Sequence, residues 1–206
     1  MQEERIDVLD ETMTVQGNAT RTEIHRKGLW HRTFHCWVLR REGDRKRLIF
    51  QLRDKGKQAS PGKMDASAAG HLEAGETPED GVREMEEELG MAIRPEELRF
   101  LGVSREEKAL GEGWMDREFC HLYFYETACS LQAFSPQPGE VAGLFEADAI
   151  KAAAFFQGEI DCLQVVGFTL GGSEEKRRLV KEDLAPHSDA YYRMVGEALY
   201  SICGSK

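Results

Sequence analysis

Between Gly75 and Gly90 the chain reads GETPEDGVREMEEELG, and this stretch restricts the fold more than any other. Thr77 suits a helix N-cap, Pro78 falls at the first helical position where its missing N–H costs nothing, and Asp80 stands where a capping box wants an acid. Gly90 is a ready C-terminal stop. The pattern predicts a helix from about 78 to 89. Along it Val82, Met85 and Leu89 make one apolar stripe, which has to lie on a core. Glu84, Glu87 and Glu88 share a different face, within about one turn. That placement is locally unfavourable. A helix C-terminus prefers cations, and Glu84 and Glu88 form a like-charged i,i+4 pair that costs on the order of 0.2–0.5 kcal/mol. A divalent cation resolves the conflict, because clustered carboxylates bind Mg2+ with substrate phosphates completing its shell. Taken alone, three glutamates read rather as a solvated acidic face.

The flanking residues change that balance. The segment GHLEAGETPEDGVREMEEELGM, Gly70 to Met91, resembles the box of the Nudix hydrolase family (MutT-like), G-x5-E-x7-R-E-U-x-E-E-x-G-U with U aliphatic. Arg83, Glu84, Met85, Glu87, Glu88, Gly90 and Met91 match every fixed position of its second half, and Gly70 and Glu76 match the first. Six residues rather than seven separate Glu76 from Arg83, a departure that leaves the carboxylate face untouched. The resemblance implies an α/β fold, the Nudix-type α/β/α sandwich with a mixed central sheet, and covers roughly residues 33 to 156. It implies metal ligands at Glu84, Glu87 and Glu88 with the Gly70 carbonyl, a catalytic part for Glu84 and Glu87, and structural parts for Arg83, Glu76 and Gly90, with Glu76 equally readable as a more distant ligand. The expected cofactor is Mg2+, with Mn2+ as a substitute.

The chain of 206 residues, 41% of them hydrophobic, suits a single domain over 1–206 with a C-terminal extension from about 157. A net charge of −10 argues against a nucleic-acid surface, while a small diphosphate remains acceptable to a metal and a local basic patch. Five scattered cysteines read as reduced thiols, and the acidic start MQEERIDVLDE has no apolar core of a signal peptide, so a cytoplasmic protein is expected. No apolar run suggests a membrane helix, and a homodimer is compatible with the reading. RIDVLDE reads as a strand; TFHCWVLRRE and KRLIFQLR read as a hairpin joined at Gly-Asp, the first with both faces covered. LRFLGVSREEK and REFCHLYFYET read as a further pair, FEADAIKAAAFF as a helix, and SDAYYRMVGEALYSIC as a helix capped by Ser188. The charged TLGGSEEKRRLVKEDLAPHS reads as a lid or surface connector.

Segments outside the box, among them HRKGLWHRTFHCWV, SPGKMDASAAGHLEAGE and DREFCHLYFYE, resemble Nudix proteins related to isopentenyl-diphosphate isomerase. Such isomerases hold a metal with histidines and glutamates and pass protons through a cysteine–glutamate pair. His31 and His71 match two of the histidines, His25 a third with a one-residue offset, and Asp116 and Glu118 the acid-x-acid pair. His31, His71 and Asp116 are therefore candidates for a second metal, although His71 reads rather as a relic of the isomerase site or a polar core residue without a metal role. His25, His31 and His35 lie close enough in the chain for a three-histidine set. The cysteine position is Ala69, which can carry no proton. With an intact box, this favours a Mg2+-dependent hydrolase of nucleoside-diphosphate-linked or other diphosphate-containing small molecules. An isomerase-like enzyme and a nucleotide-binding module without catalysis are the other readings. Glu140 and Glu118 are candidates for a general base outside the box; Arg53, Lys63, Arg40 and Arg41 are candidates for phosphate contacts, Arg53 foremost. Trp114, in a Gly-flanked loop, reads as a packing residue or a base-stacking one.

Overall fold

In chain order the elements are β1 (Arg5–Leu9), β2 (Val15–Thr20), α1 (Arg21–Lys27), β3 (Trp30–Glu42), β4 (Arg45–Arg53), β5 (Met64–Asp65), β6 (Ala68–His71), α2 (Arg83–Leu89), β7 (Leu98–Gly111), β8 (Trp114–Thr127), β9 (Val141–Asp148), α3 (Ala149–Phe156), β10 (Leu163–Thr169), β11 (Glu174–Leu179) and α4 (Asp189–Cys203). The computed structural model describes residues 3–111 and 113–204. Its sheet runs β11-β10-β9-β4-β3-β1-β2, with β5 on β4, β6 on β3, and the β7–β8 ribbon joined through β8 to β3. The β3–β8 pairing is parallel and the others are antiparallel, so the sheet is mixed.

β3 organises the layers because its side chains alternate between two apolar faces. Phe34, Cys36 and Val38 point into a core with Met85 and Leu89 of α2, Leu72 and Tyr123. Trp37 and Leu39 point the other way, into a larger core with α3 and α4, including Phe156, Tyr191, Val195 and Leu199. The sandwich expected from the sequence is therefore present, with α2 on one side of β3 and the α3–α4 pair on the other. Gly43, at φ 61°, makes the tight β3–β4 turn at the expected Gly-Asp.

Several expectations are corrected. The box helix begins at Arg83, behind a 3-10 turn over Asp80–Val82. The Thr77 hydroxyl donates to Asp80 rather than capping the helix, and the Thr77 N–H goes to the same carboxylate oxygen, each at 2.8 Å. Phe145 to Asp148 belong to β9, and the helix starts only at Ala149, capped by the Asp148 carboxylate. The segment 169–188, read as a lid or surface connector, supplies the turn after β10, β11 paired to β10, and a 3-10 turn over Lys181–Asp183. β2 and α1 were not foreseen. α1 is short, with Thr20 accepting from the Glu23 N–H and Gly28 closing it in the left-handed region. The Ser188 cap of α4 is as expected, accepting from the Tyr191 N–H at 3.2 Å.

Candidate active site

One cavity of about 940 Å3 draws its walls from Glu4 to His187. Its box side carries Gly70, Arg83, Glu84, Glu87 and Glu88. Arg83 is the local hub. It donates to Glu76 at 3.0 Å, to Glu84 at 2.6 Å, to Glu87 at 3.2 Å and to the His71 carbonyl at 2.8 Å. The Glu76–Arg83 pairing forms despite the shortened spacing, because the missing residue falls in the turn before the helix. Glu84 and Glu88 are buried, while the Glu87 side chain is 57% exposed. Glu88 Oε2 accepts from Gln51 Nε2 at 2.9 Å and the Ala69 N–H at 3.0 Å. A side chain at position 70 has no room: a Cβ there would stand 2.1 Å from Glu84 Cδ. Burial pushes the Glu84 carboxyl up to about 8 and that of Glu88 up to about 7, each resisting ionisation unless a positive charge arrives. Buried carboxylates gathered around a backbone pressed against them are a fitting donor set for a hard divalent cation.

A second cluster borders the same cavity: His25, His71 and Asp116 line it, and His31 is buried behind them. The His25, His31 and His71 rings are 5.1–5.4 Å apart, centroid to centroid. Asp116 Oδ1 stands 3.5 Å from His25 Nε2 and 3.6 Å from His31 Nε2. All three Nε2 atoms and Asp116 Oδ1 are buried without a hydrogen-bond partner among the described residues. Ligands about 2.0–2.1 Å from one ion stand roughly 3–3.5 Å apart, so the two Asp116 contacts suit a shared metal better than hydrogen bonding. His31 Nδ1, at 3.1 Å from the Leu29 carbonyl, is placed to hold the ring with Nε2 open. Burial holds His31 and His71 below the usual imidazole range, which keeps them neutral and able to ligate. Glu118 lies beside this cluster and pairs with Lys108 at 3.0 Å. Burial pushes the Glu118 carboxyl up, but the Lys108 ammonium beside it outweighs this and holds it well below the usual carboxylate range.

The NUDIX domain profile matches residues 29–164. An uncharacterized Nudix hydrolase of Clostridium acetobutylicum is 42% identical over 205 residues, spanning 97% of this chain and 98% of that protein. The chain belongs to the Nudix family. It is similar also to an isopentenyl-diphosphate Delta-isomerase of Streptomyces griseus, at 32% identity over 66% of each chain. A crystal structure of a Deinococcus radiodurans protein superposes with a TM-score of 0.56 at 21% identity, covering 73% of this chain and 87% of that one, which is a likeness of fold.

The other expected residues of this Nudix hydrolase are distributed unevenly. Arg53 lines the cavity, but its guanidinium is taken by Asp65 at 2.9 Å and the Ala59 carbonyl at 3.1 Å. Lys63 is a correction: it is not part of the lining, because its ammonium reaches the Glu182 carbonyl. Arg40 is tied to Glu146 outside the cavity, and Arg41 is exposed. Glu140 lines the cavity, half-exposed and ion-paired with Lys57. Trp114 lines it as well. His35 does not join the histidine cluster; its Nδ1 meets the Tyr191 hydroxyl at 2.9 Å. Cys36 is not the cysteine to consider, since the fold brings Cys120 Sγ to 3.7 Å from Glu118. Burial pushes that thiol up, and it stays a thiol outside the lining. Lys57, Lys108, Asp65 and His187 also line the cavity, and none was singled out in the sequence. A lysine or histidine alone in a charged stretch carries no signal until the sheet supplies its neighbours. Among the described residues no helix is long and apolar enough to cross a membrane.

Proposed function

We propose that this Nudix hydrolase cleaves a small diphosphate compound, a nucleoside diphosphate linked to a further group being the first class to test, with Mg2+ as the cofactor. The observation that carries the reading is the convergence of Glu84, Glu87, Glu88 and the tightly packed Gly70 on one wall of the cavity. Glu87, Glu88 and the Gly70 carbonyl are the assigned ligands. Glu84, with its raised proton affinity, is assigned as ligand and as the group that takes a proton from attacking water. Such a cation, when bound, polarises phosphoryl oxygens and lowers the pKa of water. Arg83 orients the carboxylates through its bonds to Glu76, Glu84 and Glu87. Lys57, Lys108 and Arg53 give the cavity the positive charge that phosphates need, although Glu140, Glu118 and Asp65 neutralise them before substrate arrives. Glu140 is the candidate base outside the box; Glu118, already ionised against Lys108, is a weaker one.

His25, His31 and His71 supply a second, nitrogen-rich donor set, with Asp116 against His25 and His31, suited to an imidazole-preferring ion such as Zn2+. The orphaned ring nitrogens favour that further reading. The test of the main reading is phosphate or pyrophosphate release from nucleotides, nucleotide sugars, dinucleotides and prenyl diphosphates. EDTA is expected to abolish turnover and Mg2+ to restore it. Full activity in thoroughly chelated buffer would remove the metal from the reading.

A further inference from the structure

His187 stands just before α4 and lines the cavity. Its Nε2 lies 3.1 Å from Asp65 Oδ1. That carboxylate also accepts from Arg53 Nη1 at 2.9 Å and from the Ala66 N–H at 2.8 Å. Burial raises the Asp65 carboxyl, but the His187 hydrogen bond and the Arg53 guanidinium outweigh it and hold it well below the usual range. Asp65 is thus an acceptor, so His187 Nε2–H donates to it and Nδ1 is the ring nitrogen left over. Nδ1 is buried and has no partner among the described residues.

The ring has no freedom to find one. It stacks on Tyr191 at 4.1 Å and 11°, and meets His35 edge-on at 5.2 Å and Tyr192 at 5.8 Å. The backbone is fastened on both sides. The Ala185 N–H donates to the Met64 carbonyl at 2.7 Å, and Ser188 donates through both N–H and Oγ to Glu106 at 2.7 Å. A buried polar atom left unpaired is destabilising, so a ring clamped in this state is arranged for a group that comes from outside. Asp65 is the cross-strand partner of Gln51, whose amide donates to Glu88, so one side chain separates the pair from the box carboxylates.

We propose that His187, held by Asp65, contacts the substrate directly: when a diphosphate fills the cavity, the imidazole takes a proton from solvent and donates Nδ1–H to a phosphate oxygen, while Nε2–H stays on Asp65. The inference rests on the diphosphate reading above. One proton enters per ligand bound, and no covalent bond changes. The groups facing the ring are Asp65, with Arg53 behind it, His35 from β3, Tyr191 and Tyr192 from α4, and Glu106 from β7 through Ser188. Burial pushes His35 down to about 3, so it adds no opposing charge.

The test uses methylenediphosphonate, which cannot be hydrolysed at its bridge, with Mg2+ and ring-15N NMR of the six histidines at about pH 8, where a free imidazole is neutral. The His187 signal is assigned through His187→Gln, or through its coupling to its own Hβ protons should that variant not fold. The expected result is movement of Nδ1 to the protonated position as the probe saturates. Calorimetry in two buffers of different ionisation enthalpy should count one proton taken up, and His187→Gln should abolish the uptake and raise Kd roughly tenfold through loss of a charge-assisted hydrogen bond. Binding with Nδ1 unmoved overturns this inference and leaves the hydrolase reading standing. No binding of the probe at all overturns both.

Discussion

Gly70 has no side chain because Glu84 already fills the space a Cβ would need. Gly70→Ala should therefore displace the Glu84 carboxylate. The expected outcome is a fall in kcat of at least roughly tenfold, about 1.4 kcal/mol of barrier, together with a lowered Tm, both measured on the purified variant. Glu87 offers the opposite test. Its side chain is more than half exposed, so Glu87→Gln should leave the fold intact by circular dichroism. Loss of one charge that holds the cation should cost at least roughly 100-fold in kcat, about 2.7 kcal/mol. Near-normal turnover by the folded variant would take Glu87 out of the proposed set. At this scale the site was partly legible. The three box glutamates, Arg83 and Gly70 were marked by type and spacing. Lys63 misled, because a lysine beside a glycine-rich loop does not reveal that a carbonyl at residue 182 will claim it. His187 carried no periodic or spacing signal, and Asp65, its partner, lies 122 positions away.

The helix α2 is where stability and metal binding meet. Burial raises the carboxyls of Glu84 and Glu88 to about 8 and about 7, whereas unfolded glutamates titrate near about 4.3. Between those values the metal-free native state holds protons that the unfolded chain releases, so its stability falls as pH rises through this window. In EDTA, Tm should drop between about pH 5.5 and 8.5, Glu84→Gln should flatten the slope, and Mg2+ should restore more stability at the upper end. A slope identical in Glu84→Gln and the parent would contradict the assignment. The stripe and acidic face of α2 were readable because helical periodicity is a local property. Its first turn was not, since Thr77 and Asp80 bond to one another in a way that several turn types share. The β10–β11 hairpin escaped notice for a related reason: Glu174–Leu179 alternates exposure but carries charge on nearly every residue, so no apolar period remained to mark a strand.

For the whole molecule the sharpest question is hydrolase against isomerase, since sequence relatives carry both names. Ala69 cannot exchange a proton, and Cys120, though beside Glu118, is sealed in the core. Isopentenyl diphosphate incubated in heavy water with the protein and Mg2+ should therefore take up no deuterium and yield no dimethylallyl product by mass spectrometry, while at least one nucleoside-diphosphate compound is cleaved. Deuterium entering the five-carbon chain at a catalytic rate would reverse the assignment and make Cys120 the first residue to substitute. The sandwich itself was legible from alternation in β3 and the box motif, because both report burial directly. The histidine cluster was legible only in part, since His25, His31 and His71 come from α1, β3 and β6 and meet only when those elements close around the cavity. That same dispersion has a consequence for synthesis. A ribosome that has delivered the first 180 residues has released a finished α2 sequence, yet Ala185 and His187 of the cavity wall are still to come. Until that last stretch arrives, the acidic face of α2 stands in a cavity with one flank still open to solvent.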